Sequence, residues 1–300
     1  MKKTLLALLT LILLLSCNET GNEGPAVDPS NKNANTGYAG KYATRIEIPA
    51  IESGDLFLSH TTTRNGKENV TYSIAHNPAR KHCRWTAFTF DPSNRAISWK
   101  RDNWENTEWG GDPFQPCPDM PENYVMTKSE INRNGFVRGH VVASYDRVYS
   151  KDANEQTFYG TNIAPQLNEH NEGIWTNIEN KVRSVAKDSD TTYVVTGCIV
   201  ADSQEFSTDS DGKQITVPTA FFKAVLRYKA SDSAPWTAAG FFTEHKKYSS
   251  NDLKPISMTI DELEEKTGLD FFVNLAGKIG KDEAAAIEAA DPSDSSVWGL

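Results

Sequence analysis

The sequence predicts an α+β domain, a central antiparallel sheet flanked by helices. Three observations carry this. Between Trp85 and Thr243, β-branched and aromatic residues gather into short runs bounded by turn residues, as strands do. Ile174, Trp175, Ile178, Val182 and Val185 recur at three- and four-residue spacing, as one face of a helix does. Thr259 and Glu262 have the spacing of a capping box before a further helix that ends at Gly268.

In chain order, Lys2 and Lys3 precede an apolar run from Leu5 to Leu15 that is too short to span a bilayer, so residues 1–17 read as an export signal. The run closes on Leu14-Leu15-Ser16-Cys17, the pattern of a bacterial lipobox. An ordinary cleaved signal is the alternative, but the cysteine at the end of the run favours lipidation of Cys17. Residues 18–41 are rich in Asn, Gly, Pro and Ser and cannot offset the entropy of ordering, so they read as a flexible tether. Residues 42–280 are expected to form one domain and 281–300 a peripheral tail.

Within the domain, Trp85–Phe90 and Ala96–Lys100 read as a hairpin around Asp91-Pro92-Ser93-Asn94. Arg101 to Glu122, dense in Trp, Asp, Gly and Pro, reads as an irregular loop of the kind that borders a site. Phe136–Val142 resumes a short strand, and Lys151–Tyr159 is a short helix or turn. The amphipathic helix runs from Glu172 to about Lys187, and strands follow at Thr192–Val200, Ile215–Tyr228 and Trp236–Thr243. Cys83 and Cys117 are candidates for a disulfide in an exported chain, whereas Cys198, inside an apolar run, reads as a buried thiol.

The chemistry concentrates between Phe136 and Arg183. Val137-Arg138-Gly139-His140 closes one apolar run, Asn162-Ile163-Ala164-Pro165-Gln166 follows, and then Asn171-Glu172-Gly173-Ile174-Trp175-Thr176-Asn177-Ile178-Glu179. These residues resemble the DNA/RNA non-specific endonucleases of the ββα-metal, or His-finger, superfamily. Its pattern is Asp-Arg-Gly-His, Asn-x-x-Pro-Gln, then Asn-x-x-x-Trp-x-x-hydrophobic-Glu. Val137 stands where the family often has Asp.

An imidazole near neutrality suits His140 to take a proton from water. The resemblance implies that Asn171 ligates Mg²⁺ directly, with Mn²⁺ as a substitute, and that Glu179 orients metal-bound waters. Glu179 lies eight residues after Asn171, about two turns of a regular helix. Arg138, Arg183 and, from the upstream loop, Arg101 are the expected phosphate donors, and Asn162 joins the active site by the same resemblance. The implied activity is Mg²⁺-dependent cleavage of DNA and RNA to 5′-phosphate ends by a lipid-anchored enzyme of the cell envelope.

Each residue also has a plainer reading. A histidine in an apolar strand is usually a core residue, Glu179 and Arg183 at i,i+4 an exposed ion pair, Asn171 a helix cap and Asn162 a turn-fixing group. Trp175 belongs to the apolar stripe. The net charge of −9 opposes a tight polyanion binder, although residues 128–187 carry eight Lys/Arg against seven Asp/Glu. The rival function is a lipid-anchored binding or surface-interaction protein on a nuclease scaffold whose catalysis has lapsed.

Overall fold

The computed structural model describes residues 40–103, 113–120, 135–203, 205–208, 212 and 214–300. The export signal, Cys17, nearly all of the 18–41 tether and part of the Arg101–Glu122 loop lie outside these residues. The strands are β1 (Leu56–Arg64), β2 (Lys67–Asn77), β3 (His82–Phe90), β4 (Phe136–His140), β5 (Ile163–Leu167), β6 (Thr191–Ile199), β7 (Phe206–Thr208), β8 (Gln214–Thr216), β9 (Ala220–Tyr228), β10 (Trp236–Glu244) and β11 (Ser257–Met258). Seven of them form one sheet in the order β1-β2-β3-β6-β9-β10-β11, each neighbouring pair antiparallel. The helices are α1 (Lys151–Gln156), α2 (Asn168–His170), α3 (Thr176–Lys187), α4 (Ile260–Thr267), α5 (Ala276–Ile279) and α6 (Lys281–Glu288).

Alternation along the strands divides the core between the two faces of the sheet. On β6, Val194 and Cys198 pack toward Trp175, Ile178, Val182 and Val185, while Tyr193 and Val195 belong with Ile260, Leu263 and Ile287. Each fully buried aliphatic of α3 contributes about 1.5–3 kcal/mol. This burial holds α3 against the sheet centre. On the other face α4 starts with the expected capping box: Thr259 Oγ1 accepts from the Glu262 N–H, and the Thr259 N–H donates to the Glu262 carboxylate. Gly268, at φ +70°, closes it in the left-handed conformation.

Several expectations are corrected. Asp91–Asn94 does form a turn, but Ala96–Lys100 adds no strand, because both edges of β3 are taken by β2 and β6. The N–H groups of Ser98 and Trp99 donate instead to the Val148 carbonyl, 2.9 Å in each case. The stretch Ile215–Tyr228 is two strands, β8 and β9, with Pro218 between them. Cys83, Cys117 and Cys198 are all buried free thiols, so the Cys83–Cys117 bridge is not formed. The C-terminal residues are not peripheral: Ala284 and Ile287 of α6 enter one core face and fully buried Trp298 the other.

The long helix is also interrupted. Regular winding starts only at Thr176, and Asn171–Trp175 forms a wider turn in which Gly173 leaves helical geometry at φ −95°, ψ −112°. The two-turn spacing between Asn171 and Glu179 therefore does not hold across Gly173. Trp175 is buried, as the apolar stripe implied.

Candidate active site

β4 pairs with β5 apart from the main sheet, placing His140 opposite Ile163 and Val137 opposite Gln166. Strand alternation sends Arg138 and His140 to one side and Val137 and Gly139 to the other. The first pair meets Phe114, with the Arg138 guanidinium 3.9 Å and the His140 ring 5.5 Å from its centroid. Phe158 meets His140 edge-on at 5.1 Å, and the Arg101 guanidinium lies 5.9 Å from Phe114 and 5.5 Å from Phe158. Two phenylalanines thus gather the expected base and two of the expected phosphate donors.

Burial, and then the charges of Arg101 and Arg138, push His140 down to about 3. The imidazole is neutral at ordinary pH, the state a general base requires. Its Nε2 is sealed from solvent and has no partner among the described residues. The opposite side of β4 is packed tightly. A Cβ on Gly139 would stand 2.2 Å from Gln166 Oε1 and 2.7 Å from Gln166 Cβ, so the close approach of β4 to β5 requires glycine. Buried Gln166 bonds through Nε2 to His170 Nδ1 at 2.7 Å, and His170 Nε2 lies 3.0 Å from Thr243 Oγ1 on β10. That chain of contacts fixes the residue immediately before Asn171.

Asn162 is fully buried and its amide is spent on backbone: Nδ2 donates to the Val142 and Thr157 carbonyls, and Oδ1 accepts from the Val142 N–H at 2.8 Å. These bonds are those of the turn-fixing reading. Asn162 buttresses the turn that leaves His140. Asn171 is half-buried, and its side chain makes no hydrogen bond with the described residues.

Glu179 and Arg183 form a second group. Arg183 Nη2 lies 3.5 Å from Glu179 Oε2, and Nη1 donates to Asp146 Oδ1 at 2.8 Å. The two α3 side chains are only 12% and 16% exposed, so this is not the exposed helix pair of the plainer reading. The Arg183 guanidinium, expected to donate to phosphate, is charge-compensated by Asp146 and Glu179. Burial pushes the Glu179 carboxyl up from its ordinary value, with the Lys223 ammonium working against that shift. Lys223 itself is buried, donates to Thr196 Oγ1 at 2.9 Å and lies over the Trp175 ring at 4.4 Å. Beside Asp146 and Arg183 opens a cavity of about 440 Å³ whose walls include Arg95, Tyr145 and Lys187.

Phe114, Asp146 and Lys223 had no role in the sequence reading. Phe114 and Asp146 carry no local signal, since each acts on residues distant in the chain. Lys223 had one: it is the lone charge inside the apolar run Ala220–Leu226.

Comparison with known proteins adds a family. A family profile described as DNA/RNA non-specific endonuclease matches residues 52–278. The chain is 27% identical over 256 residues to Nuclease C1 of Cunninghamella echinulata, covering 81% of this chain and 96% of that one. It is 26% identical over 215 residues to a nuclease of Nostoc sp., covering 69% and 73%. It is likewise 26% identical over 226 residues to the mitochondrial nuclease EXOG of Xenopus laevis, of which it spans 62%. A chain in the crystal structure of the EndoG/EndoGI complex superposes with a TM-score of 0.56 at 20% identity, over 72% of this chain and 87% of that chain, which shows a shared fold.

Proposed function

Because the chain belongs to the DNA/RNA non-specific endonuclease family, whose profile matches residues 52–278, we propose that it hydrolyses phosphodiester bonds of DNA and RNA with His140 as the general base. The observation that carries this reading is the neutral imidazole of His140 set between Arg101 and Arg138 on the Phe114–Phe158 pair. With Nε2 sealed, Nδ1 is the nitrogen left to meet water, so the working tautomer carries its hydrogen on Nε2. Nδ1 takes the proton of the attacking water. Arg138 and Arg101 are placed to donate to phosphate oxygens on the same side, where positive charge opposes the charge that develops on the phosphate.

The Asn171 amide, uncommitted among the described residues, and the carboxylates of the Glu179 group offer the oxygen donors that a hard divalent cation takes. They fit Mg²⁺, with Asn171 as the direct ligand and Glu179 behind it. When bound, the ion would neutralise charge on the phosphate and on the departing oxygen. Glu179 keeps its orientation through Arg183, which is in turn held by Asp146. The products would carry 5′-phosphates. Lipid on Cys17 would hold the enzyme at the cell envelope, and a Cys17→Ala chain should then move to the soluble fraction.

The test is digestion of plasmid DNA and of RNA by the purified protein, with Mg²⁺, with Mn²⁺ and in excess chelator. Cleavage should require the ion, and His140→Ala should lower the rate about a hundred- to ten-thousandfold without loss of fold. Binding of nucleic acid with no cleavage under any divalent ion would favour a binding protein instead.

A further inference from the structure

His60, Cys117 and Asp119 meet outside the site described above. One ligating atom from each lies within 4.8 Å of the other two. Cys117 Sγ is 3.9 Å from His60 Nε2, and Asp119 Oδ2 is 3.5 Å from His60 Nδ1. His60 and Cys117 are buried, with the Tyr72 and Tyr159 rings at 4.8 and 5.2 Å from the imidazole and Met120 packed beside the thiol. The Asp119 side chain is 61% exposed and forms the open edge.

A histidine hydrogen-bonded between a thiol and a carboxylate would account for these distances alone. The surroundings of the sulfur ask for more. The Met120 N–H donates to the Cys117 carbonyl, closing the turn that carries Asp119, and the Thr161 hydroxyl beside the thiol is 3% exposed and has no hydrogen-bond partner among the described residues. A buried thiol, a buried imidazole and an unpartnered buried hydroxyl around one point leave polar groups that a bound cation would satisfy.

We propose that His60, Cys117 and Asp119 form a binding site for a borderline divalent cation of the zinc class, separate from the Asn171 site. Thiolate, imidazole and carboxylate are the donor types zinc takes, whereas Mg²⁺ and Ca²⁺ favour oxygen alone. Donors bonded to zinc at about 2.0–2.3 Å in tetrahedral array stand roughly 3.3–3.8 Å from one another. The contacts at 3.5 and 3.9 Å use opposite ring nitrogens of His60, of which one binds the ion; with one donor atom from each residue the three lie within 4.8 Å of one another and would draw together by about 1 Å to reach this. Binding exchanges the thiol proton for the metal, and the proton leaves to solvent. The fourth position faces water beside Asp119.

The site would act as a clasp. Cys117 follows Phe114 by three residues, and Gln115 between them bridges to the Phe158–Gly160 backbone. A metal held jointly by β1 and Cys117 would fasten the segment whose Phe114 ring carries Arg138 and His140.

The experiment uses the full chain without nucleic acid, so its outcome does not depend on nuclease activity. Zn²⁺ is titrated calorimetrically, and Co²⁺ is added as a spectroscopic probe of thiolate ligation. A Co²⁺–thiolate charge-transfer band is expected that Zn²⁺ abolishes and Mg²⁺ does not. Cys117→Ser should remove the band, Cys198→Ser and Asn171→Ala should keep it, and the exposed Asp119→Asn should weaken binding by about tenfold or more. Absence of the band in the natural chain, its survival in folded Cys117→Ser, or unchanged affinity in Asp119→Asn would each overturn the proposal.

Discussion

Arg183 Nη1 donates to Asp146 Oδ1 at 2.8 Å while Nη2 faces Glu179 at 3.5 Å, so one guanidinium joins α3 to the turn that follows His140. Asp146 is itself positioned by its neighbour, because fully buried Arg147 donates to the Thr71 and Thr89 carbonyls of β2 and β3. Asp146→Ala is expected to cost about 3 kcal/mol in urea unfolding, since it leaves a largely buried guanidinium short of a partner. Activity should fall with it. A loss under about 0.5 kcal/mol, the scale of ordinary surface changes, would show that the pair is not structural.

Asn162 separates positioning from chemistry. Asn162→Ala removes three hydrogen bonds to the buried backbone of Val142 and Thr157 and should destabilise the fold by about 2–4 kcal/mol. Below its lowered melting temperature, the variant should keep kcat within about tenfold. A variant of unchanged stability with a rate loss beyond a hundredfold would return Asn162 to direct contact with substrate.

Much of this architecture could be read from local pattern because the cause was local. The Thr259–Glu262 capping box, the α3 stripe and the strands β6 and β10 each follow from residues a few positions apart. The β1–β2 hairpin was missed although its turn, Asn65-Gly66 at φ +51° and +72°, is a strong hairpin signal. Polar Thr61, Thr63, Glu68 and Asn69 broke the apolar alternation on either side of it. At the site, the order of Arg138, His140, Asn171 and Glu179 was legible, but their partners were not. Phe114, Asp146, Lys223 and Trp298 come from distant segments, and only the fold brings them in. The Ala96–Lys100 run failed for a similar reason, since strand-like alternation says nothing about whether a sheet edge is free.

Buried histidines set the response to acid. Burial depresses His60 and His76 to about 4 and His82, His140 and His170 to about 3, from 6.5 when unfolded. Between about pH 6.5 and 3 the unfolded chain binds more protons, so this stability is full above 6.5 and is lost as pH falls toward 3. Glu264 and Glu288, raised by burial to about 7 and 8, act oppositely: their contribution is full below about 4.5 and is lost as pH rises through 7 to 8. Five groups against two predict a net fall in melting temperature from pH 6.5 to 5. His76, whose two nitrogens have no partner among the described residues, allows a sharp check. His76→Leu should be more stable than the natural chain at pH 5 and flatten the slope; an unchanged slope would refute the assignment. The kcat/KM profile should likewise show no acid limb at 6.5, because His140 stays neutral well below it.

Val137 bears on whether the family's frequent aspartate is needed. It shares the Gly139 side of β4 and pairs with Gln166, whereas Arg138 and His140 face Phe114 on the other side. A carboxylate at this position would enter the packed β4–β5 side, away from the base. The polar support there is already supplied by the Gln166–His170–Thr243 chain. The natural protein is therefore expected to cut nucleic acid, and Val137→Asp should change kcat/KM by less than about tenfold, which is 1.4 kcal/mol on the barrier. Its main effect should be on stability, a loss of about 1–3 kcal/mol for a polar group placed in a half-buried site. Side-by-side digestion and urea unfolding of the two chains decide the matter. An inert natural protein that Val137→Asp brings to life would mean that the carboxylate, and not the neighbouring amide chain, completes the catalytic arrangement.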